Sequence, residues 1–166
     1  MVAAAVVLPP GYENPAIRDS KKLSPAQRER LFPVILADAV VHAVGRATPE
    51  EIDWMNILRA SLLAMRRAVA ALAVPADFLY VDGIHPVPCG LPQETLVRGD
   101  SRCLSVAAAS ILAKVSRDRM MEEYDLLYPG YGLSAHKGYP TPGHLSAIRR
   151  LGPSPIHRRT FRGVLE

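Results

Sequence analysis

With 166 residues, 49% of them hydrophobic and 22% charged, the chain is long enough to bury a core and too apolar to be disordered. A formal net charge of +4 excludes a strongly acidic protein and suits a polyanionic partner. No stretch has the length of a membrane span, and the opening Met1 to Leu8 lacks the basic flank of a secretion signal, so a single cytoplasmic domain over 1–166 is expected.

Residues 2–8 read as a buried strand stopped by Pro9-Pro10-Gly11. So apolar a strand needs neighbours on both sides, and nothing before it supplies one. Ser24-Pro25-Ala26-Gln27 is a capping box with proline at the first helical position. That helix runs through Leu31 and Ile35, with a kink expected at Pro33, which has no amide donor. Ala39 to Val44 is β-branched enough for the next strand. Thr48-Pro49-Glu50-Glu51 is a second capping box and opens one long helix. Its stripe of Ile52, Met55, Leu58, Leu62, Met65, Val69 and Leu72 recurs every three or four residues, leaving Arg59, Arg66 and Arg67 on a solvated face.

Phe78-Leu79-Tyr80-Val81-Asp82-Gly83 describes a short buried strand whose carboxylate emerges at its C-terminal tip. A second run, Thr95-Leu96-Val97, leads to Asp100. From Leu104 to Val115 only Ser105, Ser110 and Lys114 are polar, which predicts a helix buried on all sides. From Ser116 the helix turns amphipathic, with Met120, Met121, Tyr124 and Leu127 inward. Thr141-Pro142 starts a last helix, carrying Leu145 and Ile148 and ended by Gly152. The segment His157-Arg158-Arg159-Thr160-Phe161 either docks on the domain or touches a phosphate backbone. This order of elements indicates an α/β fold with a mixed sheet.

Ligands collect at strand ends in open α/β sheets, and two acids on neighbouring strand ends can hold a hard divalent cation. Asp82 and Asp100 are the candidates. Each also has an ordinary explanation, Asp82 as a turn residue and Asp100 as a helix cap. P-loop and GxGxxG motifs are absent, and the five histidines show no zinc-ligand spacing. Cys89 and Cys103 read as free thiols in a reducing compartment. Sixteen of the twenty basic residues are arginine, which draws attention to the lysines at 21, 22, 114 and 137.

Six motifs occur in order: Asp19-Ser20-Lys21-Lys22-Leu23-Ser24, Ile52-Asp53-x-x-Asn56-Ile57-Leu58, Val81-Asp82-Gly83, Gly99-Asp100-Ser101, Ala108-Ala109-Ser110-Ile111-Leu112-Ala113-Lys114-Val115-x-Arg117-Asp118 and His136-Lys137-Gly138-Tyr139-Pro140-Thr141. Together they resemble bacterial ribonuclease HII over essentially the whole chain. The resemblance implies a ribonuclease H-like fold, a five-stranded mixed sheet flanked by helices with C-terminal helices added. It implies cutting of the RNA strand in RNA–DNA hybrids and beside single ribonucleotides in duplex DNA. It also implies two Mg²⁺ or Mn²⁺ ions, held by Asp82, Asp100 and an adjacent Asp-Glu pair.

That pair belongs to an Asp-Glu-x-Gly-Arg-Gly stretch on the family's first strand, and no such stretch occurs in this sequence. The expectation is therefore an N-terminally truncated member with its first strand missing and its activity impaired, or else a noncatalytic nucleic-acid-binding remnant of the same fold. By resemblance, Tyr139 packs on the deoxyribose that follows the ribonucleotide. Lys21, Lys22, Lys114 and Lys137 are phosphate-contact candidates. Lys114 also has Asp118 four residues on, an ordinary intrahelical pair. Ser110 either bonds a phosphate or allows close helix packing. His136 and His144 are local hydrogen-bonding groups rather than catalysts. No obligatory protein partner is expected, and the chain is read as a monomer acting on nucleic acid.

Overall fold

Strand β1 (Val2–Val7) runs antiparallel to β2 (Val41–Arg46), with Val2 opposite Arg46 and Val7 opposite Val41. The computed structural model describes residues 1–161, 163 and 164. Helix α1 (Pro25–Asp38) joins the two strands and starts on the expected capping box, in which Ser24 and Gln27 bond each other's backbone. It continues past Pro33 as one element. The second strand starts two residues later than expected because the N–H of Ala39 still donates to the carbonyl of Ile35, closing the helix.

The long helix expected from Thr48 is two helices, α2 (Pro49–Met55) and α3 (Ile57–Ala70). Asn56 separates them. Its backbone takes φ 74, and its side chain accepts from the N–H groups of Leu58 and Arg59, capping α3. The apolar stripe marks only part of the buried face: Ile52 is buried and Met55, Met65 and Val69 pack against the core, but they are not the most deeply buried positions. Ala60, Ala64 and Ala68 are fully buried, whereas Leu58 is exposed, because α3 lies too close on β2 for larger side chains. Arg67 is not merely solvated either. It forms a two-pronged pair with Glu51 and donates to the carbonyl of Arg46, stitching α2, α3 and β2 together.

Strand β3 (Leu79–Asp82) is parallel to β4 (Gln93–Leu96), with Asp82 opposite Leu96. Leu79 and Val81 are buried while Phe78 and Tyr80 stay exposed, so the strand is half-buried rather than enclosed. Among the described residues the mixed sheet consists of these two ladders, β1–β2 and β3–β4, which share no hydrogen bonds, and not of one five-stranded sheet. Between them lies an apolar groove of about 500 Å³, walled by β1 on one side and residues 78–82 on the other. This also corrects the expectation for β1, where only Ala3 is buried, because one face of the strand opens on the groove.

Helix α4 (Leu104–Leu127) passes beneath both ladders. Val106, Ala107, Ala108, Ile111, Leu112 and Val115 are buried, while Ser105, Ala109, Ser110 and Ala113 line the groove, so its first half is not covered on all sides. Further on, Met120 and Met121 are buried as expected and Leu127 is exposed. Helix α5 (Leu133–His136) is too short to announce itself in the sequence, and α6 (Pro142–Leu151) stands where Thr141-Pro142 and Gly152 put it. The segment after α6 docks on the domain: the Asp53 carboxylate accepts from the N–H groups of Arg159 and Thr160 and from the Thr160 hydroxyl. Among the described residues no helix is long and apolar enough to cross a membrane.

Candidate metal and nucleic-acid site

Asp82 ends β3, and its Oδ1 accepts from the N–H of Gly99 at 2.8 Å. That bond laces the end of β3 to the turn carrying Asp100, so the two acids come from adjoining strand ends. Asp100 lies in a single 3-10 turn, Gly99–Ser101, and α4 begins only at Leu104 after Cys103. Asp100 is therefore not the cap of α4. The turn depends on glycine at 99: a Cβ there would stand 3.1 Å from Val106 Cγ1 and 3.2 Å from Leu96 Cβ.

Asp100 is 5% exposed, and its Oδ2 has no hydrogen-bond partner among the described residues. The nearest cation, Lys21 Nζ, is 3.9 Å away on a side chain otherwise in water. Burial pushes the Asp100 carboxyl above the ordinary carboxylate range, and the negative charges of Asp19 and Asp82 push the same way. A buried carboxylate oxygen without a hydrogen-bond partner is costly; protonation relieves it, and a divalent cation would do so while keeping the carboxylate ionised.

Asp19 is the residue that sequence reasoning missed. Its Oδ1 accepts from the N–H of Lys21 at the start of a 3-10 turn, Ser20–Lys22, which holds its carboxyl below the ordinary range. The motif Asp19-Ser20-Lys21-Lys22 carries the signal in its acid as well as in its lysines. Among the described residues no three carboxylate, imidazole or thiol groups converge closely enough to hold a metal ion. Asp82 and Asp100 are the two groups that fit one, through the unpaired oxygen of Asp100.

The turn is fastened from two directions. Ser20 Oγ and Ser110 Oγ are 2.8 Å apart, so the Ser110 hydroxyl bonds within the protein, on the face of α4 toward the turn. The buried Arg28 donates through Nη1 to the carbonyls of Ser20 and Leu23 at 2.9 and 2.6 Å. Its Nη2 lies 3.9 Å from Asp118 Oδ2, and Lys114 Nζ donates to Asp118 Oδ1 at 2.7 Å. Arg28 was not selected from the sequence, since nothing local distinguishes it from other helical arginines. Charged hydrogen bonds of this kind are worth about 1.5–3 kcal/mol. We expect Arg28→Met to lower stability by about 3 kcal/mol in urea denaturation, while Arg30→Met, on the exposed face of α1, changes it by less than about 0.5 kcal/mol.

The remaining candidates spread outward from this network. Lys114, besides pairing with Asp118, stands 6.0 Å from the centroid of the Tyr139 ring. Tyr139 itself is 64% exposed on the loop between α5 and α6. Lys137, in a left-handed conformation, donates to Glu122 at 2.6 Å. Lys22 is exposed. Asp82 is thus tied to the turn bearing Asp100, Lys21 stands beside Asp100, and Ser110 braces the turn bearing Lys21 through Ser20. Lys114 lies between Asp118 and Tyr139, and Lys137 reaches the Asp118 carbonyl at 3.4 Å as well as Glu122.

The model of the family Ribonuclease HII matches residues 1–164. This chain belongs to the ribonuclease HII family. Ribonuclease HII of Syntrophotalea carbinolica is 58% identical over 166 residues, covering all of this chain and 79% of that protein. Ribonuclease HII of Geobacter sulfurreducens is 57% identical, covering all of this chain and 76% of that protein. Among solved structures, ribonuclease H2 from Pyrococcus horikoshii OT3 superimposes with a TM-score of 0.75 at 24% identity, over 99% of this chain and 96% of that one. Bst-RNase HIII in complex with Mn²⁺ does so with a TM-score of 0.67 at 20% identity, over 90% of this chain and 56% of that one. The ribonuclease H-like fold is thereby shown, and the family to which the chain belongs is one of nucleases.

Proposed function

We propose that the chain is a metal-dependent endoribonuclease of the ribonuclease HII type. It hydrolyses the RNA strand of RNA–DNA hybrids and cuts at ribonucleotides embedded in duplex DNA, in the cytoplasm and as a monomer. The observation that carries this reading is the buried Oδ2 of Asp100, without a hydrogen-bond partner among the described residues, in the turn after β4 that is laced to Asp82 at the end of β3. Asp82 and Asp100 would hold the divalent cations, Mg²⁺ or Mn²⁺. When bound, a pair of such ions lowers the pKa of the attacking water and neutralises charge on the leaving oxygen.

The protein's own groups do the rest. Gly99 N–H holds one oxygen of Asp82, leaving the other free. The 3-10 turn bearing Asp19 and Lys21, braced by Arg28 and Ser110, puts an exposed ammonium beside the acids, where it meets a scissile-strand phosphate. Lys22 and Lys114 add phosphate contacts, and Lys137 adds another once released from Glu122. The exposed ring of Tyr139 stacks on the sugar beside the ribonucleotide, whose 2′-hydroxyl distinguishes the substrate.

Two aspartates carry too little charge for two ions. In this proposal the set is completed by an Asp-Glu-x-Gly-Arg-Gly stretch on a strand seated in the groove between β1 and β3, each of which has one unpaired edge among the described residues. The chain without that stretch cleaves weakly or not at all. A second reading, a noncatalytic hybrid-binding protein, is favoured because among the described residues no three carboxylate, imidazole or thiol groups are placed to share an ion.

One experiment separates the readings. The chain, and a version extended by such a stretch, are given Mg²⁺ or Mn²⁺ and a DNA duplex with one ribonucleotide. Cleavage only by the extended version supports the first reading; binding without cleavage by both supports the second. In the extended version Tyr139→Ala is expected to lower kcat/KM about 10²-fold on the single-ribonucleotide duplex, base- and sugar-stacking aromatics being worth about 1–3 kcal/mol.

A further inference from the structure

Three histidines outside the carboxylate site are joined in a way that fixes every proton. His144 Nδ1 lies 2.9 Å from the carbonyl oxygen of Tyr139, which can only accept, so Nδ1 carries the hydrogen. At the other end, Ser154 N–H donates to His157 Nδ1 at 3.1 Å, so that nitrogen is bare, accepts the Ser154 hydroxyl hydrogen at 2.7 Å as well, and leaves the ring hydrogen on Nε2. The two Nε2 atoms are 3.0 Å apart, and these assignments, made from opposite ends, give one donor and one acceptor there. His136 is fixed independently: Gly138 N–H donates to its Nδ1, and its Nε2–H donates to the carbonyl of Tyr131. Its ring stacks on His144 at 4.1 Å.

We propose that His144 and His157 are positioning residues for Tyr139, forming with Ser154 a proton-ordered chain that ties the Tyr139 backbone to the segment after α6 while both imidazoles are neutral. A first added proton weakens it and a second breaks it. If His144 or His157 becomes cationic, the hydrogen between the two Nε2 atoms can be kept only by placing one on His157 Nδ1, which then gives up the Ser154 N–H and donates to Ser154 Oγ, 2.7 Å away. A second proton puts two hydrogens between the rings and opens the link between them.

The surroundings favour the neutral state. Both rings are buried, which lowers their affinity for protons, and each is lowered further by a neighbouring histidine. Tyr131 packs on His157 at 4.9 Å. On α4 the loop faces Arg117, whose guanidinium is 3.2 Å from where a Gly138 Cβ would be, and Lys114 with its partner Asp118. Lys137 is neutralised by Glu122. Arg158, next to His157, leans on Phe161, and its nearest acid is Asp53. No carboxylate touches either imidazole among the described residues, so nothing there compensates an added charge. Because the folded pKa values are lowered from 6.5, the stabilisation is complete above that pH and declines as pH falls below it.

This inference rests on Tyr139 reading the substrate, and its test separates the two. Imidazole nitrogen–proton correlation spectra of the full chain at pH 8 should show His144 protonated at Nδ1, and His157 and His136 at Nε2. On acidification, backbone amides of residues 138–141 should shift with the same midpoint as His144 and His157. His157→Phe should abolish that coupled shift, and His157→Gln, which keeps a donor toward His144, should retain the pH 8 loop positions.

Other tautomers, or loop amides indifferent to the histidine titration, would overturn the proposal whatever the protein binds. Binding of a single-ribonucleotide duplex against an all-DNA duplex, measured by anisotropy in Ca²⁺, supplies the other arm. At pH 8 the preference should fall about fivefold in His157→Phe and less in His157→Gln. Coupled loop shifts without any preference in the wild type would leave the histidine chain standing and sink the role of Tyr139.

Discussion

Asp100→Asn, in the chain extended by an acidic first strand, is expected to lower ribonucleotide-directed cleavage by about 10³-fold or more, and Asp82→Asn to do the same. Charge stabilisation by bound metal supplies several kcal/mol of a hydrolytic barrier, and each 1.36 kcal/mol is a factor of ten. Cleavage assays under excess Mg²⁺ and again under Mn²⁺ decide the matter; wild-type rates in either variant would remove both acids from the reaction.

The same Asp100→Asn substitution should raise the melting temperature of the metal-free chain at pH 7. Asp100 is buried, its Oδ2 has no hydrogen-bond partner among the described residues, and Asp19 and Asp82 repel it. Its folded pKa is raised. The stability it contributes is present below the ordinary carboxylate range and lost as pH rises through the folded value. The advantage of the asparagine variant should therefore shrink as pH is lowered toward that range. Mg²⁺ should protect the wild type and not the variant. Asp82→Asn should show no comparable gain, since Oδ1 of Asp82 already has the N–H of Gly99. A metal-free Asp100→Asn chain that melts below the wild type would contradict the electrostatic picture.

The second large effect concerns the fold. Gly45→Ala is expected to cost about 3 kcal/mol or more in urea denaturation. A Cβ at 45 would stand 2.0 Å from the carbonyl oxygen of Ala64 and 2.4 Å from the amide nitrogen of Ala68. These are backbone atoms of α3, so no side chain can turn aside, and the helix must lift from β2. Lifting it uncovers Ala60, Ala64 and Ala68, all fully buried. Gly90→Ala is the control: no atom lies within 4 Å of its added carbon, and a change within about 0.5 kcal/mol is expected.

Much of this fold is legible residue by residue. Capping boxes at Ser24 and Thr48 start helices where their side chains say, since a cap uses only groups within four positions of each other. The same locality explains α6, begun by Thr141 and ended before Gly152. Reading failed where distance in sequence decides. The apolar stripe of α3 pointed to Leu58, yet alanines are buried, because the packing partner is Gly45 on another element. Arg28 and Asp19 escaped notice for a related reason. Their importance comes from what they face, the Ser20–Leu23 turn and Asp100, and not from their neighbours in the chain.

What the amino-acid order determined by itself was most of the local elements, the family motifs and the two acids that follow short apolar runs. Those depend on backbone propensity, capping and periodicity, which act over a few residues. Tertiary structure alone decided that the strands form two ladders across a groove, that Asp100 Oδ2 is buried with no hydrogen-bond partner among the described residues, and that three histidines spread over twenty-two positions share one ordered set of protons. Each of these depends on which groups water can no longer reach, and burial is a property of the packed chain rather than of any segment of it.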